Sequence, residues 1–400
     1  MKKLLAVLLL TIGATAISAQ DAPATAFMRA MALSPFSELT ASSGVLLSYA
    51  NYHAGITARG LALPENWAGW QASDDFSHVQ MSLPMAGPAG FLQGVTVSGG
   101  EFESLLGFDF FDIAQGVEIG MFPTIGQILI GTIDPQAVES AYAARHYSVE
   151  PLPGVGSLLC PSAGCDTGLT VNLADHDPAN PFGGQIGRSE PAVAAEGIFL
   201  NAPMIDVLQT MVDALEGDAD TFADLPEVKA VDSALSAYPF VNAVTLANPT
   251  FLAISNITSM LGSQTPPEIS GILPAYNMVA FASAADEAGQ YGFVMLAYDD
   301  FAEAETAAAL IDDRLESMTS LQRPVSYQEL YSGAGQLEAA QAVFDEATGV
   351  SLVILRLAGE VPPLEDQDGF PVMSDLPYAW LMNGLISRDL LWLAWGGTEE

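Results

Sequence analysis

Positive charge is what this chain has least of. Of 400 residues, 48 are Asp or Glu and only 11 are Lys or Arg, a formal net charge of −37. Beyond Lys2 and Lys3 the cations are Lys229 and eight arginines. Nucleic-acid phosphates and anionic lipid headgroups repel such a surface, so nucleic acid is excluded as the expected partner. Histidine is scarce, at four residues. Apolar runs long enough to span a bilayer are missing as well. The best of them, 376–396, is interrupted by Arg388-Asp389, and charges at mid-span are costly in lipid. No transmembrane segment is therefore expected in the mature chain.

Catalytic signatures are equally thin. There is no G-x-S-x-G elbow, no H-E-x-x-H and no phosphate-cradling loop. Asp166-Thr167-Gly168 matches the D-T-G of aspartic proteases, but those enzymes need a second such carboxylate and none follows. Cysteine is limited to Cys160 and Cys165, with four residues between them, Pro161-Ser162-Ala163-Gly164. Two isolated thiols are too few for a zinc site, and the spacing is wrong for a redox C-x-x-C. The pair is therefore expected to form a local disulfide worth roughly 2 kcal/mol.

What is present first is a leader. Met1-Lys2-Lys3, an apolar stretch from Leu4, and the small-residue sites Ala14-Thr15-Ala16 and Ile17-Ser18-Ala19 form a signal-peptide pattern over 1–19. Its removal takes the formal charge from −37 to −39 and implies a secreted or periplasmic, soluble product. Half the residues are hydrophobic and 9% aromatic, which excludes a disordered acidic tail.

The recurring unit is a short apolar strand, then Asp or Asn, then an amphipathic helix. It occurs at 127–144 with Asp134-Pro135, at 290–318 with Asp299-Asp300, at 197–216 with Asn201, and at 45–60 with Asn51. Hairpins are expected at 154–173 and 339–357, and a final strand at 390–395 after a helix over 376–386. This mixture predicts an α+β fold of two lobes with largely antiparallel sheets, compatible with a duplicated ferredoxin-like arrangement. The expected divisions are an N-terminal lobe over 20–238, a Pro-rich connection over 239–275 and a C-terminal lobe over 276–400. The 60–125 stretch has weak periodicity.

Three segments are candidates for binding. Asp175-His176-Asp177 gathers two carboxylates and a histidine. Asn180-Pro181-Phe182-Gly183-Gly184-Gln185-Ile186-Gly187-Arg188 is a Gly-rich loop whose guanidinium and backbone N–H groups suit a ligand carboxylate. Asp175, His176, Asp177, Asn180 and Arg188 are therefore taken as a possible ligand loop. The alternative reading is a solvated turn whose arginine pairs with an internal carboxylate. Leu364 to Gly369, with Asp366, Asp368 and Asp375, resembles part of a calcium loop but has Leu364 where the first oxygen ligand belongs. No cofactor is expected, with weak calcium binding left open. Trp67, Trp70, Trp380, Trp392 and Trp395 read mainly as core, with a ligand groove as the alternative.

On Leu106-Gly107-Phe108-Asp109-Phe110-Phe111-Asp112-Ile113, the strand–Asp-Pro–helix at 127–145, the loop at 180–188 and the helix–Leu225-Pro226-Glu227–helix at 203–237, the chain resembles bacterial exported proteins of the domain-of-unknown-function type. The resemblance implies a two-lobed α+β body outside the cytoplasm and carries no functional residue. The expected function is a non-catalytic extracytoplasmic binding protein whose partner is a small molecule, peptide or envelope component. A secreted hydrolase using paired carboxylates and an acidic surface component are the alternatives.

Overall fold

Three of the four predicted caps act as the sequence suggests. The structure, a computed structural model, describes residues 24–37, 44–256, 269 and 271–396; the leader over 1–19 lies outside them. Strand β1 (Val45–Asn51) ends at Asn51, whose side chain accepts from Ala54 N and starts helix α2 (Tyr52–Thr57), α1 being Ala26–Met31. Four helices follow: α3 (Trp67–Gln71), α4 (Phe76–Ser82), α5 (Ala89–Ser98) and α6 (Phe102–Leu106). Strands β2 (Ile113–Ile119) and β3 (Gly126–Gly131) lead to α7 (Pro135–Ala144), where Asp134 accepts from Gln136 N at 2.9 Å.

Next come β4 (Ser148–Leu152), β5 (Gly156–Cys160), β6 (Ala192–Ala195), β7 (Ile198–Asn201), α8 (Ile205–Glu216) and α9 (Pro226–Leu235). Asn201 is not the cap of α8. It is buried and donates to Pro191 O instead, because a polar side chain inside the sheet must first satisfy its own hydrogen bonds. The hairpin expected over 154–173 lies earlier, as β4–β5 over 148–160, and no strand follows Cys160 before β6. The sulfurs of Cys160 and Cys165 lie at bonding distance with Cα atoms 4.7 Å apart, tying the end of β5 to the turn that follows it.

The second half runs β8 (Phe240–Ala247), β9 (Met278–Ala285), β10 (Gln290–Tyr298), α10 (Phe301–Ser317), α11 (Tyr327–Ser332), β11 (Gln336–Leu337), β12 (Gln341–Asp345), β13 (Val350–Gly359) and α12 (Leu376–Ser387). Asp300 caps α10 through Ala302 N and Glu303 N.

The strands form one sheet in the order β11-β13-β10-β9-β8-β1-β2-β3-β7-β6-β5-β4, with β12 also against β13. Every neighbouring pair is antiparallel. The fold is therefore α+β. The order reads alike outward from the β1–β8 junction, where Ser48 faces Thr245. Each half is a three-strand meander, a helix, and later a hairpin whose second strand joins the third of the meander. That unit differs from the β-α-β-β-α-β order of a ferredoxin-like motif. Strand β8 lies inside the Pro-rich 239–275 span and is hydrogen-bonded to β1 and β9, so the sheet runs unbroken across it.

Both faces are covered. One carries Ile113, Leu129, Phe199, Phe281, Leu296 and Leu355 and packs beneath the helices of 52–144, α10 and α12. The other carries Leu47, Tyr49, Val117, Ile128, Val244 and Met295 and packs against α1, α8 and α9. Double coverage explains why β9 and β10 are almost continuously apolar. The weakly periodic 60–125 stretch folds around aromatic contacts, with Trp70 stacked on Phe76 at 4.4 Å and edge-on to Trp67 at 4.7 Å.

The expected last strand is instead a short 3-10 turn, Leu391–Leu393. Buried Arg314 takes the carbonyls of Trp392 and Ala394 at 3.1 and 2.7 Å, and that of Gly271 at 2.8 Å, acceptors that a ladder would otherwise use. Desolvation lowers its pKa to about 10.

Candidate functional site

The largest described cavity, about 310 Å³, opens between the segment after α10 and helix α12. It is built from a buried carboxylate outward. Helix α12 ends in a left-handed Arg388 (φ 58°), and Asp389 N donates back to Gly384 O, which turns the Asp389 side chain inward. There it accepts from the hydroxyls of Ser320 and Tyr327 and from Leu321 N (2.8 Å) and Gln322 N (3.4 Å). Four donors fill a carboxylate's acceptor capacity. Burial and the adjacent Asp389 raise the Tyr327 hydroxyl pKa far above its ordinary value. Ser320 Oγ in turn accepts from Gln322 N and Arg323 N, fixing the turn that carries Arg323.

Arg323 sets the chemistry of the opening. Its guanidinium lies 5.5 Å from the Trp380 ring and has no hydrogen-bond or ion-pair partner among the described residues. In a chain with 48 carboxylates, only Arg188 and Arg356 form described Arg–carboxylate bridges. Gln322, Asn383 and Ser387 supply the remaining polar wall, and Met85, Leu330 and Leu376 an apolar one. The arrangement suits a ligand with an anionic or acceptor group and an apolar body. Trp380 is the tryptophan that reaches a cavity of this size; Trp67, Trp70 and Trp392 are core.

The loop singled out in the sequence is closed on itself. Asp177 Oδ1 accepts from Ala179 N, and buried Asn180 Oδ1 from Phe182 N, so both side chains hold the loop's own backbone. His176 is exposed. Asp175 belongs to the turn Leu173–Asp175. Gly183 and Gly187 take left-handed conformations (φ 77° and 69°) that return the chain past Asp177 and Asn172.

Arg188 donates to Glu190 at 2.9 Å, with side chains only 10% and 5% exposed, and lies 4.8 Å from the Phe122 ring. Burial raises the Glu190 pKa to about 7 despite the opposing effect of Arg188. Glu118, buried on β2 beside Gln127, is likewise raised by burial to about 6. Neither carboxylate lines a cavity described here.

The partial calcium loop folds as an Asx turn. Asp366 Oδ1 accepts from Asp368 N and Phe370 N, while Asp375 is buried against Asn242. Among the described residues no three His, Cys, Asp or Glu side chains gather at a point that could hold a metal. No described helix is long and apolar enough to cross a membrane.

The chain matches no protein-family model, and no characterised protein sequence is significantly similar to it. Two crystal forms of the Treponema protein TP0453 align with it at 6% identity. Form III gives a TM-score of 0.32 over 82% of this chain and 93% of that one. Form I gives 0.33 over 88% and 98%. TM-scores this low do not amount to a shared fold.

Sequence reasoning missed Ser320, Arg323 and Asp389 as one constellation. The available signal was Asp389 itself, a carboxylate inside an apolar run, which folding must bury with donors or expose.

Proposed function

We propose that this is a non-catalytic extracytoplasmic binding protein whose ligand occupies the cleft between the 320–323 turn and α12. The observation that carries the reading is Arg323, without an ion-pair partner among the described residues and lying over the Trp380 ring, on a turn fixed by Ser320 and Asp389. A preorganised cation beside an apolar wall recognises a small organic anion or a peptide carboxyl end. The hydroxyls at hand are committed to other tasks: Ser320 donates to Asp389 and Ser387 to Asn383 O. Saturated Asp389 has no lone pair free to act as a base. The leader pattern and the cysteine pair support an extracytoplasmic location.

Calorimetric titration with small aliphatic and aromatic carboxylates and C-terminal peptides tests the reading. Arg323→Ala and Trp380→Ala should each weaken the best binder at least about tenfold, a change of about 1.4 kcal/mol. Catalytic turnover of that compound, or unchanged affinity in both variants, would defeat it.

A further inference from the structure

A second cation in this molecule is buried and only partly paired. Arg188 uses Nη2 on Glu190, but Nε and Nη1, which carry three of the five guanidinium N–H donors, are out of contact with solvent and have no partner among the described residues. A buried donor left unmade costs about 1–3 kcal/mol, more for a charged group. Donors so placed suit an occupant that supplies acceptor oxygens. Glu190 supplies one such oxygen, and its own burial opposes the ionised form.

What covers the guanidinium is a turn tip. Phe122 lies over its face at 4.8 Å, yet the Phe122 residue is 61% exposed, on the turn between β2 and β3 that begins at left-handed Gly120 (φ 70°). Beside it the Arg188 loop presents Ile186, and the Asn172 N–H bond to Gly187 O brings Leu173 alongside; both are exposed apolar side chains. A ring more than half exposed at the tip of a turn can move aside with little change in buried area.

We propose that Arg188 anchors a second ligand site, separate from the Arg323 cleft, that takes an oxyanion on its free N–H groups once the Phe122 turn lifts. A planar carboxylate attached to an apolar group matches it best: oxygen to the guanidinium, apolar body against Phe122 and Ile186. Glu190 is a positioning residue, holding the fork by Nη2 and leaving its other donors for the ligand.

The experiment follows the Arg188 Nε–H resonance of the full chain by NMR, with binding measured by calorimetry, using benzoate and inorganic phosphate as separate probes. Either probe should shift that resonance, and preference between them identifies the oxyanion class. Arg188→Ala should weaken binding at least about tenfold, and Arg188→Lys, which keeps charge but loses the planar fork, nearly as much. Phe122→Ala uncovers the guanidinium but removes part of the apolar wall, so it should tighten phosphate binding and weaken benzoate binding, and Arg323→Ala should leave the Arg188 Nε–H shift unchanged, which separates this site's failure from that of the cleft. An Nε–H signal unmoved by both probes, or equal affinity in wild type and both Arg188 variants, overturns the proposal.

Discussion

Helix α12 has a buried aspartate at each end, and the two have opposite surroundings. At its C-terminal end Asp389 accepts from two hydroxyls and two backbone N–H groups. At its N-terminal end Asp375, held at φ 56°, accepts from Asn242 Nδ2 at 3.1 Å through Oδ1, while Oδ2 has no hydrogen-bond donor among the described residues. Burial pushes the Asp375 carboxyl pKa up to about 6, against the opposing effects of Ser283, Asn242 and Arg59. Depth alone does not decide what a buried carboxylate costs; the number of donors aimed at it does. One aspartate organises a cleft, and the other is a local liability.

The sharpest way to break this comparison is Asp389→Ala. It strands four donors and should cost about 3–5 kcal/mol in urea unfolding. A variant as stable as wild type would mean that the donors find water elsewhere and that Asp389 does not hold the turn.

Next in size is the response of the wild type to pH. Asp375, Glu118 and Glu190 all have folded-state pKa values raised by burial, to about 6, 6 and 7. A raised acid favours the folded state below its unfolded pKa, and that stability is lost as pH rises through the folded value. The urea midpoint should therefore fall between pH 4 and pH 8, by about 3 kcal/mol or more in stability. Self-repulsion of the anionic surface acts in the same direction, and salt would reduce only that part.

Asp375→Asn isolates one contribution. It should stabilise the protein by about 2 kcal/mol at pH 8 and by almost nothing at pH 4. A loss at pH 8 would show that the Asp375 charge is used after all. Smallest is Arg323→Ala, expected to change stability by less than about 0.5 kcal/mol while removing ligand binding. A large loss of stability there would recast Arg323 as structural.

Local chemistry was legible in the sequence wherever a residue's partner lies within a few positions. Asn51, Asp134 and Asp300 cap their helices because the N–H groups that they bind are two or three residues on. Asn201 looked the same and differs because its nearest need is a carbonyl inside the sheet. The pairing of β1 with β8 joins segments whose register no short pattern encodes. The cleft was hidden for the same reason: Ser320 and Asp389 are 69 residues apart. Arg188 stood out because glycines flank it, but the missing acceptors at Nε and Nη1 are a property of packing and visible only there.

The grip of Arg314 on the carbonyls of Trp392 and Ala394 sets an order of events in the life of the chain. The meander, helix and hairpin of the N-terminal half are complete by Asn201, whereas the C-terminal half must wait for Trp392 and Ala394. Until those carbonyls arrive, a guanidinium destined for the interior has only the Gly271 carbonyl to hold. A ribosome stalled near residue 380 would thus leave one finished half and one unlatched half.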